Sequence, residues 1–152
     1  MSRIQLALNV EDIDEAIAFY KKLFATEPAK VRPGYANFAV DEPPLKLVLI
    51  ENPGHGGSLN HLGVEVESTD DVVAATARLA DEGLAAATED QVSCCYAVQD
   101  KVWVDDPNGA PWEIYTVLAD AETPAGDLGG AEPSCGAGRC DTEPTANVCC
   151  AG

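Results

Sequence analysis

The 152-residue sequence predicts an α+β domain built from two successive β-α-β-β-β modules and followed by a disordered tail. Three observations carry this expectation. Short segments that alternate apolar and polar residues come in two sets, and each set opens with one strand followed by a stretch of helical periodicity. Isolated polar residues stand at matching places in otherwise apolar strands, with Gln5 opening the first strand of one set and His61 that of the other. Beyond Leu118 the periodicity stops, and Pro124, Pro133 and Pro144 punctuate a chain of Gly, Ala and acidic residues that has no means of building a core. The domain is therefore expected over residues 1–118, with module one at about 2–51 and module two at about 60–118, and the tail over 119–152.

Module one starts with the alternation of Ile4 to Val10. Asp12 is placed to cap a helix in which Ile13, Ala16, Ile17, Tyr20, Leu23 and Phe24 fall at helical spacing. Acidic side chains at Glu11, Asp14 and Glu15 suit the solvated first turn of that helix. Strands are expected at Tyr35 to Val40 and, after the Pro43-Pro44 break, at Leu45 to Ile50. Module two repeats the order. His61 to Val66 reads as a strand, and Thr69 or Asp70 caps a helix that runs through Leu79 and Ala80 and stops at Gly83. Tyr96 to Val98, Lys101 to Asp105 and Trp112 to Val117 read as three further strands, the last two joined by the Pro107-Asn108-Gly109 turn.

The net charge is −17, from 9 basic and 26 acidic residues. Such a chain repels phosphate at long range, which argues against nucleic acid or an anionic membrane as a partner. No apolar run approaches the ~18 residues of a spanning helix. Met1 leads straight into the first strand without the apolar segment of a signal peptide, so a cytoplasmic location is expected. In a reducing compartment the six cysteines read as thiols rather than a disulfide framework. Cys94-Cys95 and Cys149-Cys150 are adjacent pairs, a spacing that strains a disulfide but lets two thiols reach one soft ion. Cys135 and Cys140 complete the tail set.

Superposing the modules aligns Gln5 with His61, and Pro44-Leu45-Lys46-Leu47 with Pro111-Trp112-Glu113-Ile114, so that Lys46 takes the place of Glu113. Four polar residues are then expected to converge. Ala7 and Gly63 share the face of Gln5 and His61, and being small they leave room for a cavity. Imidazole nitrogen and carboxylate oxygen suit a divalent ion such as Fe(II), an amide oxygen is a weaker third ligand, and a protonated Lys46 serves charge rather than coordination. Spacing alone leaves two readings open: a metal site, or polar residues paired with one another. His55 reads as a solvated loop residue, and Tyr35, Phe38, Tyr96 and Trp103 as either pocket lining or core.

Several segments resemble one family. Ser2–Val10, Pro33–Ala39, Pro43–Leu49, Asn60–Val66 and Cys94–Val104 are similar to the corresponding segments of the cadmium-inducible and ArsI-type C–As lyases, a group within the vicinal oxygen chelate superfamily of glyoxalases and ring-cleaving dioxygenases. The likeness covers nearly all of the expected domain, and the Cys94-Cys95 pair sets this group apart within the superfamily. The resemblance implies paired modules around one Fe(II) ion held by Gln5, His61 and Glu113. It also implies O2-dependent cleavage of the carbon–arsenic bond in trivalent organoarsenicals, with Cys94 and Cys95 binding arsenic. Lys46, from its place in the alignment of the modules, is expected to assist by holding negative charge on substrate or oxygen. The implied partners are a small organoarsenical and O2, with a homodimer left open. A thiol-based cadmium or arsenic binding protein is the alternative. A glyoxalase-like or antibiotic-modifying enzyme of the same superfamily is a third reading, and the thiol pair disfavours it.

Overall fold

The computed structural model describes residues 2–84, 86–94 and 96–120, with the backbone alone at 93 and 94. The expected disorder of 119–152 and the tail cysteines Cys135, Cys140, Cys149 and Cys150 thus fall outside the described residues, apart from the first two positions of that range.

Module one comprises β1 (Arg3–Val10), α1 (Ile13–Phe24), β2 (Lys30–Arg32), β3 (Tyr35–Val40) and β4 (Leu45–Glu51). Module two comprises β5 (Leu59–Glu65), α2 (Thr69–Asp81), β6 (Ala87–Cys94), β7 (Ala97–Asp105) and β8 (Pro111–Asp120). The strands form one eight-stranded mixed sheet in the order β2-β3-β4-β1-β5-β8-β7-β6. Each module is a four-stranded half, and the antiparallel β1–β5 pair is the seam between them.

Alternation along the strands sorts side chains between two faces. One face carries both helices. There Phe38, Leu47 and Leu49, with Leu6 and Leu8, pack under Ile13, Ile17, Tyr20 and Phe24 of α1. On the same side Val102, Val104 and Ile114 pack under Val72 and Leu79 of α2. The other face carries Gln5, Ala7 and Asn9 from β1, all buried. It also carries a second apolar cluster of Ala7, Tyr35, Val48, Ile50 and Tyr96. Phe38 is thus core, whereas Tyr35 and Tyr96 lie on the face of Gln5.

The structure departs from the sequence reading in several places. Lys30–Arg32 and Ala87–Cys94 are strands that alternation did not reveal. The first is only three residues long, and the second is a sheet edge whose ATEDQVSC sequence carries no apolar face. Tyr96 is a turn residue with φ 63°, and β7 is one unbroken strand rather than two. It continues through Gln99 and Asp100 because Asp100 is bonded there: its Oδ1 accepts from the Gln91 backbone N–H, and Thr69 donates to its Oδ2. Ser68, not Thr69 or Asp70, caps α2, accepting from the Asp71 N–H. Asp12 caps α1 as expected, but Glu11 reaches out of the helix turn to accept from the N–H groups of Gly54 and Gly56. β8 continues two residues past Leu118, and Lys30 of β2 is salt-bridged to Asp120 at its end.

The two halves also superpose less simply than the sequence suggests. Gln5 is in register with Lys46 on β4, but the partner of Glu113 on β5 is Gly63, two residues beyond His61. Lys46 therefore does not occupy the place of Glu113.

Candidate metal centre

Three adjacent central strands bring Gln5, His61 and Glu113 together on the helix-free face. All three are nearly fully buried, with 3%, 6% and 3% of their surface exposed. His61 Nε2 lies 3.0 Å from Gln5 Nε2 and 3.3 Å from Glu113 Oε1, and Gln5 Nε2 donates to Glu113 Oε1 at 2.5 Å. Gly63 makes the convergence sterically possible. A Cβ there would stand 3.0 Å from Glu113 Cγ and 3.3 Å from Gln5 Cβ. The space that small residue leaves is thus filled by the polar side chains themselves.

Two ligands bound at right angles about 2.1 Å from a divalent ion are about 3 Å apart. The three-way separations match one face of such an octahedron, and the donor set of one imidazole, one carboxylate and one amide suits a borderline ion with open positions. Among the described residues no cluster of three His, Cys, Asp or Glu side chains offers an alternative. For Gln5 to contribute oxygen its amide must turn. Gln5 Oε1 now accepts from the Tyr115 hydroxyl. Turned over, Oε1 joins His61 and Glu113, while Nε2 donates to Tyr115 Oη. The Tyr115 hydroxyl then donates to Glu65 Oε2, 3.1 Å away. The turned arrangement gathers acceptors only, so a cation stabilises it.

The surroundings supply charge. Burial alone would raise the Glu113 carboxyl, but the Lys101 ammonium, 2.8 Å from Oε2, and His61 outweigh it and hold the group at about 2. Lys101 is only 1% exposed and also faces the Trp103 ring, which meets His61 edge-on at 5.5 Å. Lys46 stands one step further out. Its Nζ is 3.4 Å from Glu65 Oε2 and 4.9 Å from the Tyr115 ring centre, and Arg3 donates to both oxygens of the same Glu65. Burial pulls the Lys46 ammonium down, against the opposing pull of Glu65 and Glu113. Burial, Glu113 and Glu65 push the Tyr115 phenol well up, so it stays a neutral donor.

The sequence reading missed Asn60, Lys101 and Tyr115, while Trp103, read as pocket lining or core, stands beside the site. For Lys101 and Tyr115 the one signal available was their place in alternation: Lys101 shares one face of β7 with Trp103, and Tyr115 shares the face of Glu113. The thiol pair is placed in part. Cys94 ends β6 opposite Ala97, so it lies on a strand end rather than in a loop, and Cys95 lies outside the described residues. The next residue, Tyr96, packs across to module one. Its ring lies 5.2 Å from that of Tyr35, Arg32 sits 5.9 Å over it, and Lys30 donates to its carbonyl at 3.0 Å.

Fold and site together define a small domain of paired modules with a buried polar convergence on its helix-free face. Residues 3–114 match the Glyoxalase/Bleomycin resistance protein/Dioxygenase superfamily, and the chain belongs to it. Within it the chain is 63% identical over 123 residues to the cadmium-induced protein CadI of Mycobacterium tuberculosis, covering 81% of both chains. It is 61% identical over 124 residues to the trivalent organoarsenical cleaving enzyme of Thermomonospora curvata, covering 81% of this chain and 82% of that one. Among solved structures, an extradiol ring-cleaving dioxygenase from B. fuscum superposes with a TM-score of 0.57 at 20% identity, over 79% of this chain and 34% of the other. The Mn(II)-bound glyoxalase of Novosphingobium aromaticivorans superposes at 0.56 and 22%, over 80% and 42%. These last two speak to the fold.

Proposed function

We propose that the chain is an Fe(II)- and O2-dependent lyase that cleaves the carbon–arsenic bond of trivalent organoarsenicals such as methylarsonous acid, yielding arsenite. The observation that carries this reading is the buried convergence of the Gln5 amide, His61 Nε2 and Glu113 Oε1. It is supported by the 61% identity to a protein named as an organoarsenical cleaving enzyme. Gln5, His61 and Glu113 hold the metal. Ferrous iron, when bound there, supplies electrons and open positions for O2 chemistry, which Zn2+ cannot.

Cys94 and Cys95 hold the substrate. Each thiol displaces one hydroxyl of R–As(OH)2, its proton leaving with that hydroxyl as water, so two waters depart and R–As(S)2 keeps its carbon. The second exchange is intramolecular, which raises its effective concentration. Pentavalent arsenicals lack this exchange. The Tyr96 contacts tie the start of β7, adjacent in sequence to the thiol pair, to module one, which supports holding substrate at a defined place. Lys46 and Lys101 place positive charge on two sides of the site, Lys101 on Glu113 itself and Lys46 behind Tyr115.

The test is to incubate iron-loaded protein with methylarsonous acid in air and without O2, and to measure arsenite. Release in air alone is expected. The name of the cadmium-induced relative favours one competing reading, a thiol-based cadmium or arsenic binding protein without lyase activity. Stoichiometric arsenic capture with no arsenite released in either atmosphere would establish that alternative.

A further inference from the structure

We infer that Ser58, Asn9 and Asn60 form a polarised relay that fixes the tautomer of His61 and so keeps the Nε2 lone pair pointed into the site. The relay starts at a group that can only accept. Ser58 Oγ donates to the backbone carbonyl of His55 at 2.6 Å. Its single proton is thereby committed, so it accepts from Asn9 Nδ2 at 2.9 Å. That fixes which end of the Asn9 amide faces which way. Asn9 Oδ1 accepts from Asn60 Nδ2 at 3.0 Å and from Asn52 Nδ2 at 3.4 Å. Asn60 must therefore present Oδ1 to His61 Nδ1, 2.6 Å away. An oxygen at that distance requires Nδ1 to carry the hydrogen, which leaves Nε2 unprotonated in the neutral ring. Each amide orientation follows from its neighbour.

Strand geometry explains why a residue next to His61 can reach its ring. In a regular strand Asn60 and His61 would point to opposite faces. Here Ala7 pairs with His61 while Leu8 pairs with Leu59, so Asn60 is the extra residue of a β-bulge in β5. The bulge turns its side chain to the side of the ring. Asn9 is 1% exposed, and its backbone binds the same loop: its N–H donates to Ser58 O and its carbonyl accepts from Gly57. Glu11 ties that loop down through Gly54 and Gly56. Gln5 cannot make this choice, because its amide is able to present either atom to Nε2, with Tyr115 adapting on the other side.

The inference rests on the reading of His61 as a metal ligand for its purpose but not for its test. Ring nitrogen shifts of His61 in isotope-labelled, metal-free protein at alkaline pH report the tautomer directly. Wild type and Asn60→Asp, which keeps an acceptor, should show Nδ1 protonated and Nε2 bare. Asn60→Leu should show a measurable fraction of the opposite tautomer and should weaken Co(II) binding about tenfold or more. Ser58→Ala, at the exposed end, should shift both readouts in the same direction by less, and Ser58→Thr should not. The proposal is overturned if Asn60→Leu keeps a fully Nδ1-protonated ring, or, should that variant not fold, if Ser58→Ala matches wild type in both readouts. Undiminished metal affinity in His61→Ala would instead remove the metal reading and leave the tautomer result standing.

Discussion

Lys101 and His61 divide the carboxylate of Glu113 between them: Nζ is 2.8 Å from Oε2, and His61 Nε2 is 3.3 Å from Oε1. With Oε2 committed, Glu113 has one oxygen left to offer the proposed metal. Lys101→Met strands a buried carboxylate and should cost about 3 kcal/mol in the metal-free protein, measured by urea denaturation. A divalent ion replaces the missing charge. Added Co(II) should therefore stabilise this variant more than it stabilises wild type, and equal stabilisation would refute the arrangement.

The same pair makes stability depend on acid. The Glu113 carboxyl lies at about 2 in the folded chain against 4.5 unfolded. A depressed carboxyl stabilises the fold fully above its unfolded value and loses that contribution as pH falls toward the folded one. Metal-free protein should thus lose on the order of 3 kcal/mol between about pH 4.5 and about pH 2 from this group. Glu65, also lowered, acts in the same sense. The double variant Lys101→Met, Glu113→Gln should show a shallower fall in Tm over this range than wild type.

Gly63→Ala tests the packing of the site. Its Cβ would press on Glu113 Cγ at 3.0 Å and Gln5 Cβ at 3.3 Å, and neither side chain has room to yield. A stability loss of about 1–3 kcal/mol is expected, together with weaker Co(II) binding. Wild-type affinity in the folded variant would mean that Gln5 and Glu113 are not positioned by this contact.

The two cysteine sets should separate cleanly. Cys94→Ser or Cys95→Ser should abolish arsenite release while leaving Fe(II) binding intact. His61→Ala should abolish stoichiometric Fe(II) binding. Truncation after Asp120, which retains the Lys30 contact, should preserve turnover and lower total thiol-bound arsenic or cadmium. A folded, iron-loaded truncation without turnover would assign the tail a catalytic part.

The residues that the sequence marked and those it hid differ in physical kind. α1 was legible to both ends, since Asp12 and an apolar stripe at helical spacing are local signals. Gln5, His61 and Glu113 stood out as polar interruptions of apolar strands. Lys101 did not, because a strand lysine reads as solvent-facing and its partner is 12 residues away on β8. Asn60 was hidden for another reason: a bulge is a relation between two strands, and β5 alone carries no trace of it. The register offset that separates Lys46 from the place of Glu113 is likewise a property of paired strands. β6, a charged sheet edge, never had to alternate.

The side chains of Gln5 and Glu113 touch although 108 residues separate them, with His61 midway. During synthesis the first two emerge long before the third. A nascent chain therefore holds an amide and an imidazole with nothing to bind until β8 has left the ribosome and slotted in beside β5. On the proposed metal reading, capture of the ion is accordingly a late event, slow to arrive as all long-range closures are. Conversely, an ion bound there would certify that both halves have docked.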